Sequence, residues 1–172
     1  MKDFHIREGD SIMTVEIREL PKYEIAYIRR VGSYFEPQDH WGKLLDWAIR
    51  NGLVPPNQHF IGISLDDPNI VEGHQCRHDA CVTVPKGFAK ESHKEVEFRQ
   101  LDGGLYVMYP FYDQVEKLVF AYQYVFEVWL PTTSEYEVDY SRNNLEFNQN
   151  NPADDPEGKG KVDLFIPIKE VV

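Results

Sequence analysis

The chain has 172 residues, 29 of them Asp or Glu against 18 Lys or Arg, and a formal net charge of -11. This length supports one good hydrophobic core rather than two, no apolar run is long enough to cross a bilayer, and the N-terminal MKDFHIREGD lacks the apolar region of a signal peptide. The negative field repels nucleic acid phosphates. We therefore expect a single cytoplasmic domain over residues 1–172, without membrane contact or direct nucleic acid binding. The charge serves solubility, or else it favours a cationic ligand or a basic protein partner.

Residues 13–84 form the first of two similar stretches. In chain order they contain MTVEIREL, a turn at Pro21, YEIAYIRRV, a helical segment from about Glu36 to Arg50, FIGISLDD and RHDACVTV. The helix is predicted by an apolar stripe at spacings of three and four residues, made of Trp41, Leu44, Leu45 and Ala48.

Residues 94–168 repeat this order. They contain EVEFRQL, an Asp102-Gly103-Gly104 turn, LYVMYPF, a helical segment from Tyr112 to Trp129, YEVDY, NLEFN and VDLFIPI. Asp-Gly between two alternating runs predicts a β-hairpin. The second helical stripe consists of Val115, Leu118, Val119, Tyr122, Phe126 and Trp129.

The doubling predicts the fold class. We expect an α+β fold built as a tandem pseudo-symmetric repeat, with an antiparallel β-sheet, two long helices on one face and a central cleft between the halves. Residues 148–161, NQNNPADDPEGKGK, contain no large apolar side chain and are predicted to be a solvated loop between the last two strands.

The segment EGHQCRHDAC holds two histidines and two cysteines within eight residues. In a strand, however, successive side chains point to opposite faces, so Cys81 falls out of phase with His74, Cys76 and His78. We therefore predict no metal site. Because cytosolic thiols stay reduced and a strand holds residues five apart too far from each other, we predict two partly buried cysteines and no disulfide. No cofactor is expected. The sequence also lacks the usual nucleophile-elbow, phosphate-binding, dinucleotide-binding and zinc-protease motifs.

Aromatic residues are abundant near the junctions between strands and helices. Many belong to the core, but those at equivalent positions of the two copies could form the walls of a ligand pocket. Alternation in NNLEFNQ places Glu146 on the polar face of its strand, where it is solvent-exposed unless that face borders a ligand cavity.

Several segments together resemble the GyrI-like small-molecule-binding domain, also called the bacterial transcription activator effector-binding domain. The resemblance covers about residues 13–168 and rests on VEIRELPKYEIAYIRRVGSY, WGKLLDWA, FIGISLDDP, CRHDACVTV, VFEVWLPTTSEYE, NLEFN and VDLFIPI. Gly32 and Tyr34 match the family's Gly-x-Tyr turn, whereas the second copy has Pro110-Phe111-Tyr112 at the corresponding place. Glu146 matches the family's late-strand acid, although Asn143 and Asn148 replace its flanking proline and tyrosine.

The resemblance implies a stand-alone protein that binds a small hydrophobic or cationic ligand for sensing or sequestration. Two alternatives stay open: a hydrolase of cyclopropane-bearing DNA-alkylating toxins, with Glu146 and Tyr109 as catalytic groups, and an inhibitor that binds DNA gyrase or a transcription regulator. The expected ligand-binding residues are Glu146, Tyr34, Trp41, Tyr109, Tyr112 and Trp129.

Overall fold

The computed structural model describes residues 4–8 and 11–172, with side chains from Val15 onward. The chain forms two compact units. The split unit combines residues 1–21 with 103–172, and the continuous unit consists of residues 22–102. Each unit has an antiparallel sheet and helical segments, so the fold is α+β as predicted.

The sheet of the split unit has the strand order β1-β2-β7-β10-β9, and the short β8 pairs with the end of β10. Its strands are β1 (Phe4–Glu8), β2 (Ser11–Leu20), β7 (Gly104–Asp113), β8 (Tyr136–Val138), β9 (Leu145–Asn148) and β10 (Gly160–Glu170).

The sheet of the continuous unit has the order β4-β5-β3-β6. Its strands are β3 (Tyr23–Val31), β4 (Phe60–Ser64), β5 (Arg77–Val84) and β6 (Glu97–Leu101). The helix α1 (His40–Arg50) packs its apolar stripe on this sheet, where Leu44, Trp47 and Ala48 are buried against alternate residues of β3 and β5.

The hairpin predicted at Asp102-Gly103-Gly104 does not form, and the strands on either side of the Pro21 turn, β2 and β3, do not pair with each other either. Strand β2 pairs with β7, and β3 pairs with β6. The first strand of the first repeat, β2, therefore lies in the unit that contains the rest of the second repeat. Likewise β6, the first strand of the second repeat, lies in the unit that contains the rest of the first repeat. The short links at residues 21–22 and 102–103 carry the chain from one unit to the other. The hairpin prediction was wrong because a turn signal shows where a strand ends and not which strand it pairs with.

The helix α1 begins four residues later than predicted and ends in a Schellman motif. The amide of Leu53 donates to the carbonyl of Ala48, and the amide of Gly52 donates to the carbonyl of Ile49. Gly52 has φ +70°, the left-handed conformation that this motif requires and that glycine adopts without a Cβ penalty.

The second helical segment differs more from its prediction. Residues 112–113 still belong to β7, and the helical residues run from 115 to 132. A 3₁₀ turn (Val115–Lys117) leads into α2 (Leu118–Gln123), followed by π-helical turns (Tyr124–Trp129) and a final 3₁₀ turn (Leu130–Thr132). None of the helices in the described ranges is long and apolar enough to cross a bilayer.

The predicted loop at 148–161 is confirmed for residues 149–159, which join β9 to β10 and contain only one 3₁₀ turn. The shared helical face and the central cleft of the predicted architecture concern the placement of the two units and stay predictions.

Candidate functional site

Glu146 lies on the face of β9 that the helical segment covers. Its Cα pairs with that of Leu164 in β10, which in turn pairs with Tyr109 in β7, so the three side chains form one row across three strands. Leu164 and Tyr109 are buried in the core beneath α2. Glu146, at the end of this row, is half-buried and therefore sits where an apolar core meets more polar surroundings.

The hydroxyl of Tyr122 in α2 donates a hydrogen bond to Oε2 of Glu146 over 2.8 Å. Burial raises the pKa of the Glu146 carboxyl, and the Tyr122 hydrogen bond lowers it by a smaller amount, because the bond stabilises the charged form. In the side chains that the structure describes from Val15 onward, no Lys or Arg forms an ion pair with Glu146. Among these described side chains, the Glu146 carboxylate thus has one hydroxyl donor and no ion-pair partner.

The π-helical turns directly follow the part of α2 that contains Tyr122. Ala121, Val125 and Trp129, each four residues from the next, are all buried. Four residues of a π-helix come closer to one complete turn than four residues of an α-helix do. Trp129 therefore lies almost directly below Val125 on the same face. Single-turn π segments of this kind are frequent at functional sites.

Three other predicted site residues belong to the same unit but differ in exposure. Tyr109 is buried and its ring lies 5.7 Å from that of Tyr124. Trp129 is buried in the same core. Tyr112 is half exposed, and its hydroxyl donates to Asp155 over 2.7 Å.

The remaining two predicted residues, Tyr34 and Trp41, lie in the continuous unit around His78. Their rings are 6.4 Å and 6.2 Å from the His78 ring. The Tyr34 hydroxyl donates to the carbonyl of Arg77 over 2.7 Å, so this tyrosine also contacts the first residue of β5. Their role in ligand binding, like that of the other four, stays a prediction.

His78 also contacts His40, at the start of α1. Nε2 of His40 and Nδ1 of His78 are 2.7 Å apart. Burial is the main cause that lowers the pKa of both imidazoles, that of His78 to about 4.

The two cysteines of the His-Cys segment are buried and free. Burial raises the pKa of the Cys81 thiol, which keeps it protonated and unreactive at neutral pH. Within residues whose side chains are described, no three His, Cys, Asp or Glu residues come close enough to hold a metal ion.

Sequence reasoning missed Tyr122 as the partner of Glu146 and the contact between His40 and His78. Tyr122 was assigned only to the helical stripe, where a tyrosine in place of phenylalanine is itself a signal, since a buried hydroxyl needs a polar partner. The histidine contact joins residues 38 positions apart, and no local pattern marks it.

The pair formed by Tyr122 and Glu146 can act in two ways. Its charged form offers a carboxylate beside aromatic rings, which suits a lipophilic cation. Its neutral form can donate as well as accept a hydrogen bond. A carboxyl group of raised pKa beside a phenol is also a combination that general acid-base catalysis uses.

Residues 13–169 match the family described as the GyrI-like small molecule binding domain. The chain belongs to this family. A putative transcriptional regulator named YosT, derived from the SPbeta prophage of Bacillus subtilis, is 35% identical over 56% of this GyrI-like chain and 64% of its own length. A DNA gyrase inhibitor from Salmonella typhimurium is 29% identical over 91% of the chain and 99% of its own length. The chain thus spans slightly less than two thirds of YosT.

Solved structures show the same fold at low sequence identity. The C-terminal domain of EcmrR superposes with a TM-score of 0.70 at 14% identity, covering 92% of this GyrI-like chain and 99% of that domain. A protein solved with bound tetraphenylphosphonium has a TM-score of 0.58 at 14% identity, covering 90% of this chain and 93% of its own. The GyrI-like fold that the sequence resemblance implied is therefore confirmed.

Proposed function

We propose that this GyrI-like protein binds lipophilic cationic or aromatic compounds and acts by sensing or sequestering them. The observation that carries the proposal is the half-buried Glu146 carboxyl, held by Tyr122 at the border of an aromatic core. A structural neighbour binds tetraphenylphosphonium, a cation of this class.

Charge and aromatic rings together determine the expected ligand class. A carboxylate at the edge of an apolar region is poorly solvated, so a cation that brings its own apolar surface compensates the charge without restoring bulk water. Rings such as Tyr122 and Tyr124 add cation–π attraction of about 0.5 to 2 kcal/mol per well-placed ring. One carboxylate with several rings is consistent with affinities on the order of micromolar.

The test is a thermal-shift titration with tetraphenylphosphonium, with a planar cationic dye and with triphenylphosphine oxide as a neutral compound of similar shape. A ligand that binds only the folded protein raises its melting temperature. We expect the two cations to stabilise the wild type, the neutral compound to do so much less, and Glu146→Gln to remove the difference.

Glu137→Gln is the matched control. Glu137 lies in β8 of the same unit, is half exposed, and is 3.8 Å from Lys169, so its replacement removes one negative charge away from the proposed site. Equal loss of stabilisation in both variants would mean that the cations respond to overall charge only. Unchanged stabilisation in Glu146→Gln would refute charge recognition by this residue.

A hydrolase is the second candidate, because the same pair supplies a carboxylate and a phenol. In this reaction Glu146 takes a proton from water, and the water oxygen bonds to one carbon of the cyclopropane. A ring C–C bond of that carbon breaks. Its electron pair moves into the conjugated carbonyl, whose oxygen a tyrosine protonates. Tyr109 was the predicted acid, but Leu164 lies between it and Glu146 in the strand row, whereas Tyr122 touches the carboxylate.

Mass spectrometry tests this candidate. A cyclopropane-bearing alkylator incubated with the protein should gain one water, and Glu146→Ala and Tyr122→Phe should both slow the gain. Turnover that does not exceed the rate with Glu146→Ala would exclude the hydrolase. Binding of tetraphenylphosphonium is measured separately, so failure of one candidate leaves the other testable.

The third candidate is inhibition of gyrase or binding to a regulator, favoured by the named relatives and by the charge of the chain. A supercoiling assay with purified gyrase at low and at moderate salt tests it. Electrostatic association weakens as salt rises. Inhibition that is present at low salt and fades at moderate salt would support this candidate, and no inhibition at low salt would remove it.

A further inference from the structure

We propose that the outer face of the helical segment docks a basic amphipathic helix of a partner protein. The acidic face, as we call it, consists of Glu116, Val119, Phe120, Gln123, Glu127 and Val128. All six side chains are exposed, and they lie opposite the buried stripe of the same helical segment.

The arrangement of these residues is regular. With about 100° per residue in α2 and about 80° to 90° in the π-helical turns, Gln123 and Glu127 fall on nearly the same side of the helical segment, and Glu116 in the 3₁₀ turn extends this polar row. Val119 borders this row on one side, and Phe120 and Val128 border it on the other. Their exposed fractions are 51%, 57% and 48%. Single exposed apolar residues are ordinary, but apolar edges on both sides of an acidic row form a patterned surface.

The acids of this row are not paired within the described part of the chain. Neither Glu116 nor Glu127 forms an ion pair with a side chain in the described part of the chain, and Lys117 instead approaches Asp113 at 3.7 Å. Exposed carboxylates without partners are available to the basic groups of another molecule.

The charge of the protein is concentrated in the same unit. Residues 1–21 and 103–172 contain 17 Asp or Glu and 8 Lys or Arg, a net charge of -9, whereas residues 22–102 contain 12 and 10, a net charge of -2. The field around the acidic face therefore attracts a basic partner and repels a second copy of this chain.

A helix as the partner element matches the spacing of the two acids. Glu116 and Glu127 are eleven residues apart, or about 16 Å at about 1.5 Å per residue. Lys or Arg residues three turns apart on a partner helix match that distance, and an apolar stripe beside them would cover Phe120 and Val128. The apolar edges of the acidic face contribute buried apolar surface, and the acids orient the partner and increase the association rate.

The probe is a fluorescent amphipathic peptide with a leucine stripe and lysines eleven positions apart, measured by anisotropy against the whole protein. The comparison peptides are a scrambled sequence of the same composition and a version with glutamates in place of the lysines. We expect binding of the first peptide only, weakening as salt rises.

Two pairs of variants locate the binding. Glu116→Lys with Glu127→Lys should weaken binding roughly tenfold or more. Glu19→Lys with Glu170→Lys changes the net charge equally at exposed positions of the same unit and should retain binding. Phe120→Ser should weaken binding, and Tyr140→Ser, at another exposed aromatic residue, should not.

Four results would overturn the proposal. Equal binding of the scrambled peptide, or equal loss in both charge-reversal variants, would reduce the effect to non-specific attraction. No binding of the first peptide at low salt would show that the acidic face is not a docking surface for such a helix. A dimer in sedimentation that Phe120→Ser dissociates would assign the face to a second copy instead.

Discussion

Nε2 of His40 lies 2.7 Å from Nδ1 of His78, so one imidazole nitrogen donates and the other accepts in a contact between α1 and β5. The rings cross at 85°, and Tyr34 and Trp41 border His78. Protonation of either ring places a positive charge in a mostly buried space, and protonation of the accepting nitrogen also removes the acceptor of this contact. Such a pair favours the neutral state of both rings.

This pair makes the folded protein sensitive to acid. The pKa of His78 is 6.5 in the unfolded chain and about 4 in the folded protein. Burial, His40 and Arg30 lower the pKa, and together they outweigh Asp79, which raises it. Between these values the unfolded chain binds more protons, so stability is full above pH 6.5 and falls as pH drops toward 4. We expect a loss of about 3 kcal/mol at most from this group, measured by urea unfolding across that range.

Two glutamine variants isolate the contribution of the pair. His78→Gln removes the titrating ring and should flatten the dependence between pH 6.5 and 4, even if it lowers stability at neutral pH. His74→Gln replaces an exposed histidine of the same segment and should leave the slope as in the wild type. Identical slopes in all three proteins would disprove the assignment.

Asp79 is the side chain whose replacement should destabilise the continuous unit most. It is fully buried and pairs with Arg29 and Arg99, each at 2.7 Å. Asp79→Asn leaves two guanidinium groups without their shared carboxylate. Removing one partner of a fully buried ion pair costs about 3 to 5 kcal/mol, and because both arginines are partly exposed we expect a loss in the lower part of that range. Urea unfolding at pH 7 should show this loss, whereas Glu95→Gln, in an exposed pair with Arg50, should cost less than about 1 kcal/mol. A similar small cost for both would contradict the prediction.

The elements of the fold were largely predictable from local patterns, and their connections were not. Alternation located the strands, and the stripe with Leu44 and Ala48 located α1. The pairing of β2 with β7 and of β3 with β6 joins residues far apart in the chain, and each strand's alternation fits several partners equally well. The π-helical turns were also missed, because the apolar spacing of Val125 and Trp129 reads as an ordinary helix.

The site was predictable only as far as single residues. Alternation gave Glu146 two possible environments, and the resemblance to a family pointed to it as the important acid. Its partner Tyr122 comes from an element 24 positions away in the chain and is fixed by packing of α2 on the sheet. The partner of Tyr112 was missed in the same way, since its predicted position at the start of a helical segment gave no indication that it would bond Asp155.

Replacement by alanine should change the stability of the protein in opposite directions at two glycines. Gly42 lies in α1 with open space where a Cβ would be, so Gly42→Ala should stabilise the protein by up to about 1 kcal/mol through helix propensity. Gly104 has φ +134°, and a Cβ there would lie 2.7 Å from Nη1 of Arg142. That arginine donates to two backbone carbonyls and lies over the Tyr106 ring, so Gly104→Ala should destabilise by about 1 kcal/mol or more. Thermal unfolding of both variants beside the wild type measures the two signs, and stabilisation by Gly104→Ala would contradict this account.

The Tyr122 hydrogen bond should set the pH at which the protein binds a cation. Burial raises the pKa of Glu146, and the bond from Tyr122 opposes that increase, so Tyr122→Phe should raise the pKa further. Since a cation binds the charged carboxylate, affinity should rise as pH increases through this pKa, and the rise should occur at higher pH in Tyr122→Phe. Titration of tetraphenylphosphonium binding across acidic and neutral pH measures the shift. Tyr136→Phe, which removes another half-buried phenol of the same unit, is the matched control and should keep the wild-type midpoint. Coincident curves for wild type and Tyr122→Phe would show that the bond does not control the charge of Glu146, whereas loss of pH dependence in Glu146→Gln would confirm that this carboxyl is the titrating group.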